Sequence, residues 1–304
     1  MEFDANEALT ETESTETEQL ESLDNNDIDS EELGEYDDEL AEEVLMIDNV
    51  MLATLSAIEM ITEKPLLEEA IIELDGLIEL IEVDMQGFTC EIEKRDQLLY
   101  LFYQQLGFAG NWRKWLELDS VLLHKVISSR NGVPLSLGTV FIYFAEHFEV
   151  DVKGILFPGQ FVLRFGSEKE AVYVDPADGK ILTQHKLQVL LRGIEGNHAL
   201  LTDDDLLEVN NEMHYLRLLQ VLKAALIRDE HFSYALRCID LILELEPDEP
   251  YEIRDRGFLL QQLDCKKLAS EDFAYFIEQC PDDPITRVLK AQVEELSVAN
   301  DTIH

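Results

Sequence analysis

Two segments in the last third of the chain repeat each other at an offset of 34 residues. The sequence Leu245-Glu246-Pro247-Asp248-Glu249-Pro250 returns as Gln279-Cys280-Pro281-Asp282-Asp283-Pro284. Ala235 and Ala269 have the same offset, and so do Gly257 and Ala291. A fixed period of this length is typical of repeat proteins, in which each repeat is one small unit that buries its apolar face against its neighbours.

A period of 34 residues predicts tetratricopeptide repeats, each made of two antiparallel helices. Ala235 and Ala269 then stand where two helices cross, and Gly257 and Ala291 fill the other close-packing position. We predict two repeats, over 216–249 and 250–283, and a terminal helix over 285–296, within a repeat domain that spans 201–300. Fewer than three repeats are marginal alone, so this pair should pack against the rest of the chain as one rigid unit.

The first 43 residues form a distinct acidic segment. They hold 19 Asp or Glu residues and no Lys or Arg, and the first basic residue is Lys64. Such a segment repels itself and has little to bury, so residues 1–43 are predicted to be a disordered tail. Two roles stay open for this tail: it keeps the protein soluble, or it attracts a basic partner electrostatically.

The charge of the whole chain restricts its partners. It has 65 acidic and 23 basic residues, a net charge of −42. Such a surface repels phosphate backbones and anionic lipids, so we expect no nucleic acid and no membrane as partner. The N-terminus does not read as a leader peptide, no apolar run reaches about 18 residues, and the four cysteines form no Cys-x-x-Cys pair. We therefore expect a cytoplasmic protein with reduced thiols.

Residues 44–200 begin with helical patterns. Met46, Val50, Ala53, Ala57 and Met60 recur at alternating steps of four and three and predict a first helix. Pro65 ends this pattern, and further helices are predicted over 66–81 and 92–106. The folded part of the chain is thus expected to open with a small helical bundle.

A helix followed by strands is predicted next. After a short helix over 120–128, Asn131 and Gly132 suit the entry of a longer helix, and Pro134 suits its first turn. Strand-like runs follow at 150–157, 160–165, 171–174 and 180–183, separated by turn residues. A helix followed by an antiparallel sheet is an α+β layout, and we assign 44–200 to one α+β domain.

This order of elements is that of transglutaminase and papain-like enzymes. In such a core a Cys at a helix N-terminus has a lowered pKa, a His on the next strand acts as the base, and an Asp on the strand after it orients the His. The corresponding places here are the helix start at 132–136, the strand that begins at 160 and the strand that ends near 175.

Several motifs together resemble the bacterial SirB family, whose members combine a transglutaminase-like domain with tetratricopeptide repeats. The motifs are Leu106-Gly107-Phe108-Ala109-Gly110-Asn111, Arg130-Asn131-Gly132-Val133-Pro134-Leu135-Ser136-Leu137-Gly138, Phe157-Pro158-Gly159-Gln160-Phe161, Val174-Asp175-Pro176 and Arg254-Asp255-Arg256-Gly257. The resemblance spans about residues 45–298 and leaves out the acidic tail. It implies the same two-part fold and, from the family's name, a regulatory role.

Matched residue by residue, the resemblance argues against catalysis. The place of the nucleophile holds Pro134, Ser136 and their neighbours but no Cys, and the place of the base holds Gln160, where the family usually has His. Only Asp175 remains of the three groups. Because an amide takes no proton at neutral pH, Gln160 cannot be a general base. The resemblance therefore implies a pseudoenzyme without cofactor or metal that acts through protein–protein interaction.

Two other functions stay open at this point. One is a hydrolase or an amide-transferring enzyme that uses Ser136 with a displaced base. The other is a binder of basic proteins that depends on the acidic tail.

The candidate interaction residues lie in the motifs. They are Arg130, Asn131, Gly132, Phe157, Pro158, Gly159, Arg254, Asp255 and Arg256. Arg130 is expected to form an ion pair that holds its loop, or else to anchor a carboxylate-bearing partner in the old active-site cleft. Arg254, Asp255 and Arg256 are expected to form a charge network that docks the repeats onto the N-terminal domain.

Overall fold

A computed structural model describes residues 47–113, 117–167 and 170–301. The acidic tail predicted at 1–43 lies outside these residues. All the described residues belong to one compact unit, so the predicted division near residue 200 stays a prediction. None of the helices in the described part of the chain combines the length and the apolar run that a membrane crossing requires.

Three helices open the structure, as predicted. They are α1 (Val50–Thr62), α2 (Leu67–Met85) and α3 (Glu91–Tyr100), which continues as a π-helical turn over Leu101–Gln105. The side chain of Asn49 caps α1 by accepting a hydrogen bond from the Leu52 N–H. Met60 was predicted on the buried face of α1 but is exposed, because that face instead runs through Leu55, Ile58 and Ile61.

The segment around the longest family motif differs from the prediction at one point. Helix α4 (Leu123–Ser129) precedes α5 (Pro134–His147), and Pro134 does occupy the first turn of α5. Asn131 and Gly132 do not begin this helix; they form strand β2, which pairs in parallel with β1 (Ala109–Gly110). Glycine suits this strand, since a Cβ on Gly132 would lie 2.9 Å from a methyl group of Val126.

The four predicted strands form one antiparallel sheet. They are β3 (Val152–Phe157), β4 (Gln160–Phe165), β5 (Val172–Val174) and β6 (Ile181–Leu182), in that spatial order. Pro158 and Gly159 make the turn between β3 and β4, and Gly159 adopts a φ of +84° that favours glycine. Helix α5 packs on one face of the sheet, where the rings of Phe141 and Phe165 are 5.9 Å apart.

The other face of the sheet carries a helix that the sequence reading missed. Helix α6 (Gln184–Glu195) buries Leu187 and Leu191 against a cluster that includes Ile155 and Phe157 of β3. Two local signals for α6 were present: the Thr183 hydroxyl caps its first turn, and the two leucines are four residues apart.

Five helices follow and confirm the predicted repeats. They are α7 (Asn211–Arg228), α8 (Phe232–Leu245), α9 (Pro250–Gln262), α10 (Lys266–Gln279) and α11 (Thr286–Asp301). Ala235 and Ala269 are fully buried, and Gly257 lies against the ring of Phe273. Ala291 was predicted to be close-packed but is exposed, because no further helix follows α11 among the described residues.

The charge network of the second repeat differs from the prediction. Lys223 of α7 donates hydrogen bonds to Glu252 (2.6 Å) and Asp255 (2.9 Å) of α9, and Arg256 forms two hydrogen bonds, 2.7 and 2.9 Å, with Asp272 of α10. Arg254 bonds to Asp255 and lies over the rings of Tyr251 and Phe276.

These groups therefore join the repeat helices to one another and not to the N-terminal domain. The repeat helices contact the N-terminal domain instead through α7 and α8, which pack against α1. At this contact the guanidinium of Arg237 donates to the main-chain carbonyl of Ile61.

Gly257 offers a test of the packing between α9 and α10. In Gly257→Ala the new Cβ would lie 2.7 Å from the Phe273 ring, so the free energy of unfolding should fall by about 1–3 kcal/mol. Gly193→Ala in α6 is the control, because a Cβ there meets nothing within 4 Å and should raise stability by about 0.5–1 kcal/mol. Urea unfolding measures both changes, and an unaltered Gly257→Ala protein would contradict this packing.

Candidate functional site

Ser136 lies inside the protein at the first turn of α5. It is fully buried, and its hydroxyl donates to the main-chain carbonyl of Val121 at 3.4 Å. No imidazole or carboxylate of the described residues is hydrogen-bonded to it. A serine nucleophile needs a base within about 3.2 Å and an open path to substrate, and the surroundings of Ser136 supply neither.

Gln160 begins β4 and lines an open cleft. Its amide Nε2 atom is buried, and among the described residues it has no hydrogen-bond partner. The structure therefore places Gln160 at the cleft and Ser136 in the packed interior behind the start of α5. An amide takes no proton at neutral pH, so Gln160 supplies the cleft with no base.

The carboxylate of Asp175 accepts a hydrogen bond within its own turn. Its Oδ1 accepts the Ala177 N–H at 2.9 Å, and its main-chain carbonyl accepts the Gly179 N–H at the same distance. Burial raises the pKa of Asp175. This side-chain-to-backbone turn is common for Asp before Pro and leaves the carboxylate orienting a loop rather than a histidine.

The turn at Asp175 packs against the first family motif. The Gly110 N–H donates to the Ala177 carbonyl at 2.6 Å, and a Cβ on Gly110 would lie 2.7 Å from the Cβ of Ala177. The buried hydroxyl of Tyr103 donates to the Pro176 carbonyl at 3.0 Å. These motif residues are therefore held by packing and main-chain hydrogen bonds. Such close packing requires small residues such as Gly110 and Ala177.

Arg130 also has a structural position. It ends α4 in the left-handed conformation at φ +59°, and its guanidinium pairs with Glu73 of α2 at 3.1 Å. The same guanidinium lies 5.3 Å from the centre of the Phe108 ring, a cation–π contact. Arg130 thus ties α2, α4 and the loop before β1 together, and it is not among the residues that line the cleft.

The cleft has a volume of about 530 Å³ and three walls. The start of α5 forms one, the β3–β4 hairpin the second, and α7 the third. The lining residues are Val133, Pro134, Leu135, Leu156, Phe157, Pro158, Gly159, Gln160, Phe161, Arg217, Gln220 and Val221. The volume is within the range of about 300–1,000 Å³ that is usual for ligand sites.

The predicted motif residues Phe157, Pro158 and Gly159 lie in this lining, whereas Asn131 and Gly132 do not. The α7 wall was missed from the sequence, because nothing local shows which face of α7 turns toward the hairpin. Among the described residues that line the cleft, Arg217 is the one that carries a charge, and none is a carboxylate. In a chain with 65 acidic residues, this makes the cleft a locally cationic and mostly apolar surface.

His214 of α7 lies where the repeat region meets the sheet. It is buried, its ring centre is 4.7 Å from that of Phe161, and its Nε2 is 2.9 Å from the Thr139 hydroxyl. Because that hydroxyl donates to the Leu135 carbonyl, His214 must donate its Nε2–H to Thr139. Burial lowers the pKa of His214 to about 4, so the imidazole is neutral in the folded protein at pH 7.

Comparison with known proteins agrees with the two-part structure. Residues 68–220 match the profile of the transglutaminase-like superfamily, and residues 222–294 match that of the tetratricopeptide repeat. A UPF0162 protein of Vibrio cholerae is 41% identical over 232 residues, which is 76% of this chain and 86% of that protein.

Two other relatives cover the chain to a similar extent. Protein SirB1 of Salmonella typhimurium is 34% identical over 233 residues, and UPF0162 protein YchA of Escherichia coli K12 is 33% identical over 233 residues. Each alignment covers 76% of this chain and 87% of the relative. No solved structure matches the chain significantly.

The buried imidazole of His214 predicts a pH dependence of stability. The pKa of His214 in the folded state lies below its unfolded value of about 6.5, so the unfolded state takes up the proton first as the pH falls. The free energy of unfolding therefore decreases as the pH falls from about 6.5 toward about 4. Between pH 7 and pH 5 the wild type should lose about 2 kcal/mol more of its unfolding free energy than His214→Gln, whose amide keeps the bond to Thr139. Equal losses in urea unfolding would show that the pKa of His214 is not lowered in the folded protein.

Proposed function

The chain belongs to the family of the SirB1 and UPF0162 proteins, and from this premise we propose that it is a non-catalytic interaction protein with a regulatory role. In this proposal a transglutaminase-like pseudoenzyme is joined to a tetratricopeptide platform, and both bind a protein partner in the cytoplasm. The observation that carries the proposal is Gln160, which lies on the cleft where a base is required, while Ser136 is buried and bonded to a main-chain carbonyl.

The cleft supports binding because of its walls. The walls come from the start of α5, the β3–β4 hairpin and α7, so one bound segment would contact three elements at once. The hairpin wall is apolar at Phe157 and Phe161, and the α7 wall adds Arg217 and Gln220. An apolar polypeptide segment that carries a carboxylate fits this lining, since Arg217 has no ion pair with the described residues.

A photo-crosslinking amino acid at Gln220 tests the proposal in cells that make the protein. We expect a discrete protein adduct from this position, and we expect Arg217→Glu in the same protein to reduce it at least several-fold, because the cleft then repels a carboxylate. The same amino acid at Val288, an exposed position of α11 outside the cleft, is the matched control. Identical adducts from both positions, or an adduct indifferent to Arg217→Glu, would contradict partner binding in the cleft.

A further inference from the structure

Helix α2 exposes an apolar row on the face that points away from the core. Ile72, Leu80 and Val83 are 64%, 66% and 73% exposed, although each is a large apolar side chain. With Gly76 they follow one another at steps of four, four and three, so they lie on one side of the helix. We call Ile72, Gly76, Leu80 and Val83 the outer α2 row.

The outer α2 row is separate from the side of α2 that builds the core. The core side consists of Ala70, Leu74, Leu77, Ile78 and Ile81, which are all buried. A surface helix normally has one apolar stripe opposite a polar face. Helix α2 has a second stripe, and nothing within the described residues covers it, since its three large side chains remain mostly exposed.

Gly76 packs against nothing in the part of the chain that the structure describes. It is exposed in the middle of a 19-residue helix, and a Cβ built on it would meet nothing within 4 Å. Glycine at such a place costs about 0.5–1 kcal/mol relative to alanine. Its effect on the surface is to leave a gap between Ile72 and Leu80, into which a side chain or the backbone of another helix can fit.

Acidic residues flank the row along its length. Glu68, Asp75, Glu79 and Glu82 follow one flank, Glu69 lies at the start of the row, three residues before Ile72, and all five are exposed. At the start of α2 the surface continues into a shallow groove of about 420 Å³. This groove is lined by Glu59, Pro65, Leu67, Glu68, Glu69 and Ile72. The whole surface is thus apolar along its centre and negative along one edge and at its start.

We propose that the outer α2 row is a docking surface for a cationic amphipathic helix of a partner protein. The apolar side of such a helix would cover Ile72, Leu80 and Val83 and fit the gap at Gly76, while its Lys and Arg side chains would face the flanking carboxylates. A second copy of this chain is a poor occupant, because it would bring the same carboxylates against these. This surface is distinct from the cleft and does not rest on the function proposed for it.

The test uses the full-length protein and a synthetic helical peptide of Leu and Lys with all its leucines on one face. A scrambled peptide of the same composition controls for simple attraction to an acidic protein. We expect the amphipathic peptide to bind at physiological salt at least tenfold more tightly than the scrambled one, measured by fluorescence anisotropy. Equal binding of the two peptides, or no binding of either, would overturn the proposal.

A substitution at Gly76 separates docking from folding. Gly76→Arg fills the gap with a large cationic side chain, whereas the helix itself should become more stable, because arginine favours helix and Glu73 and Glu79 stand one turn away on either side. We expect affinity for the amphipathic peptide to fall at least tenfold and the melting temperature not to fall. Gly193→Arg makes the same change at another open helical glycine and should leave binding within twofold. Equal effects of the two variants would locate the binding elsewhere.

Discussion

The structure depends most on the position of α7, which belongs to two packed regions at once. Near its start, His214 contacts Phe161 and bonds to Thr139 of α5; further along, Lys223 pairs with Glu252 and Asp255 of α9. One continuous cluster of buried apolar residues extends from Val50 to Leu259 through this helix. The same helix forms one wall of the cleft, so the cleft depends on how α7 packs against α5 and the sheet.

The positions at which the resemblance would place catalytic groups have other physical tasks in this structure. Ser136 bonds to a main-chain carbonyl, Asp175 stabilises its own turn, and that turn packs against Gly110. Each contact depends on a small or polar residue at a fixed place in the fold. Gln160 is the exception, because its buried amide nitrogen has no partner among the described residues although the residue lines the cleft.

Local patterns predicted those parts of the fold that local chemistry determines. The 34-residue period placed α7 to α11, and the turns at Pro158-Gly159 and Pro176–Gly179 placed the strands. The strand pair at Ala109 and Asn131, the α7 wall of the cleft and the true partners of Arg256 were missed, since each depends on residues far apart in sequence. Ala291 was wrongly predicted to be close-packed. The 34-residue repeat of the sequence extends into α11, but among the described residues no further helix packs against α11 there.

The proposal that the transglutaminase-like core performs no acyl transfer is tested most directly at Ser136. A fluorophosphonate or acyl-transfer electrophile is incubated with the native, full-length protein, and the mass of the peptide that contains Ser136 is then measured. The account predicts no adduct above that of Ser136→Ala, because the hydroxyl is fully buried and bonded to the Val121 carbonyl. Stoichiometric labelling of Ser136 in the folded protein would contradict it and would indicate a working nucleophile.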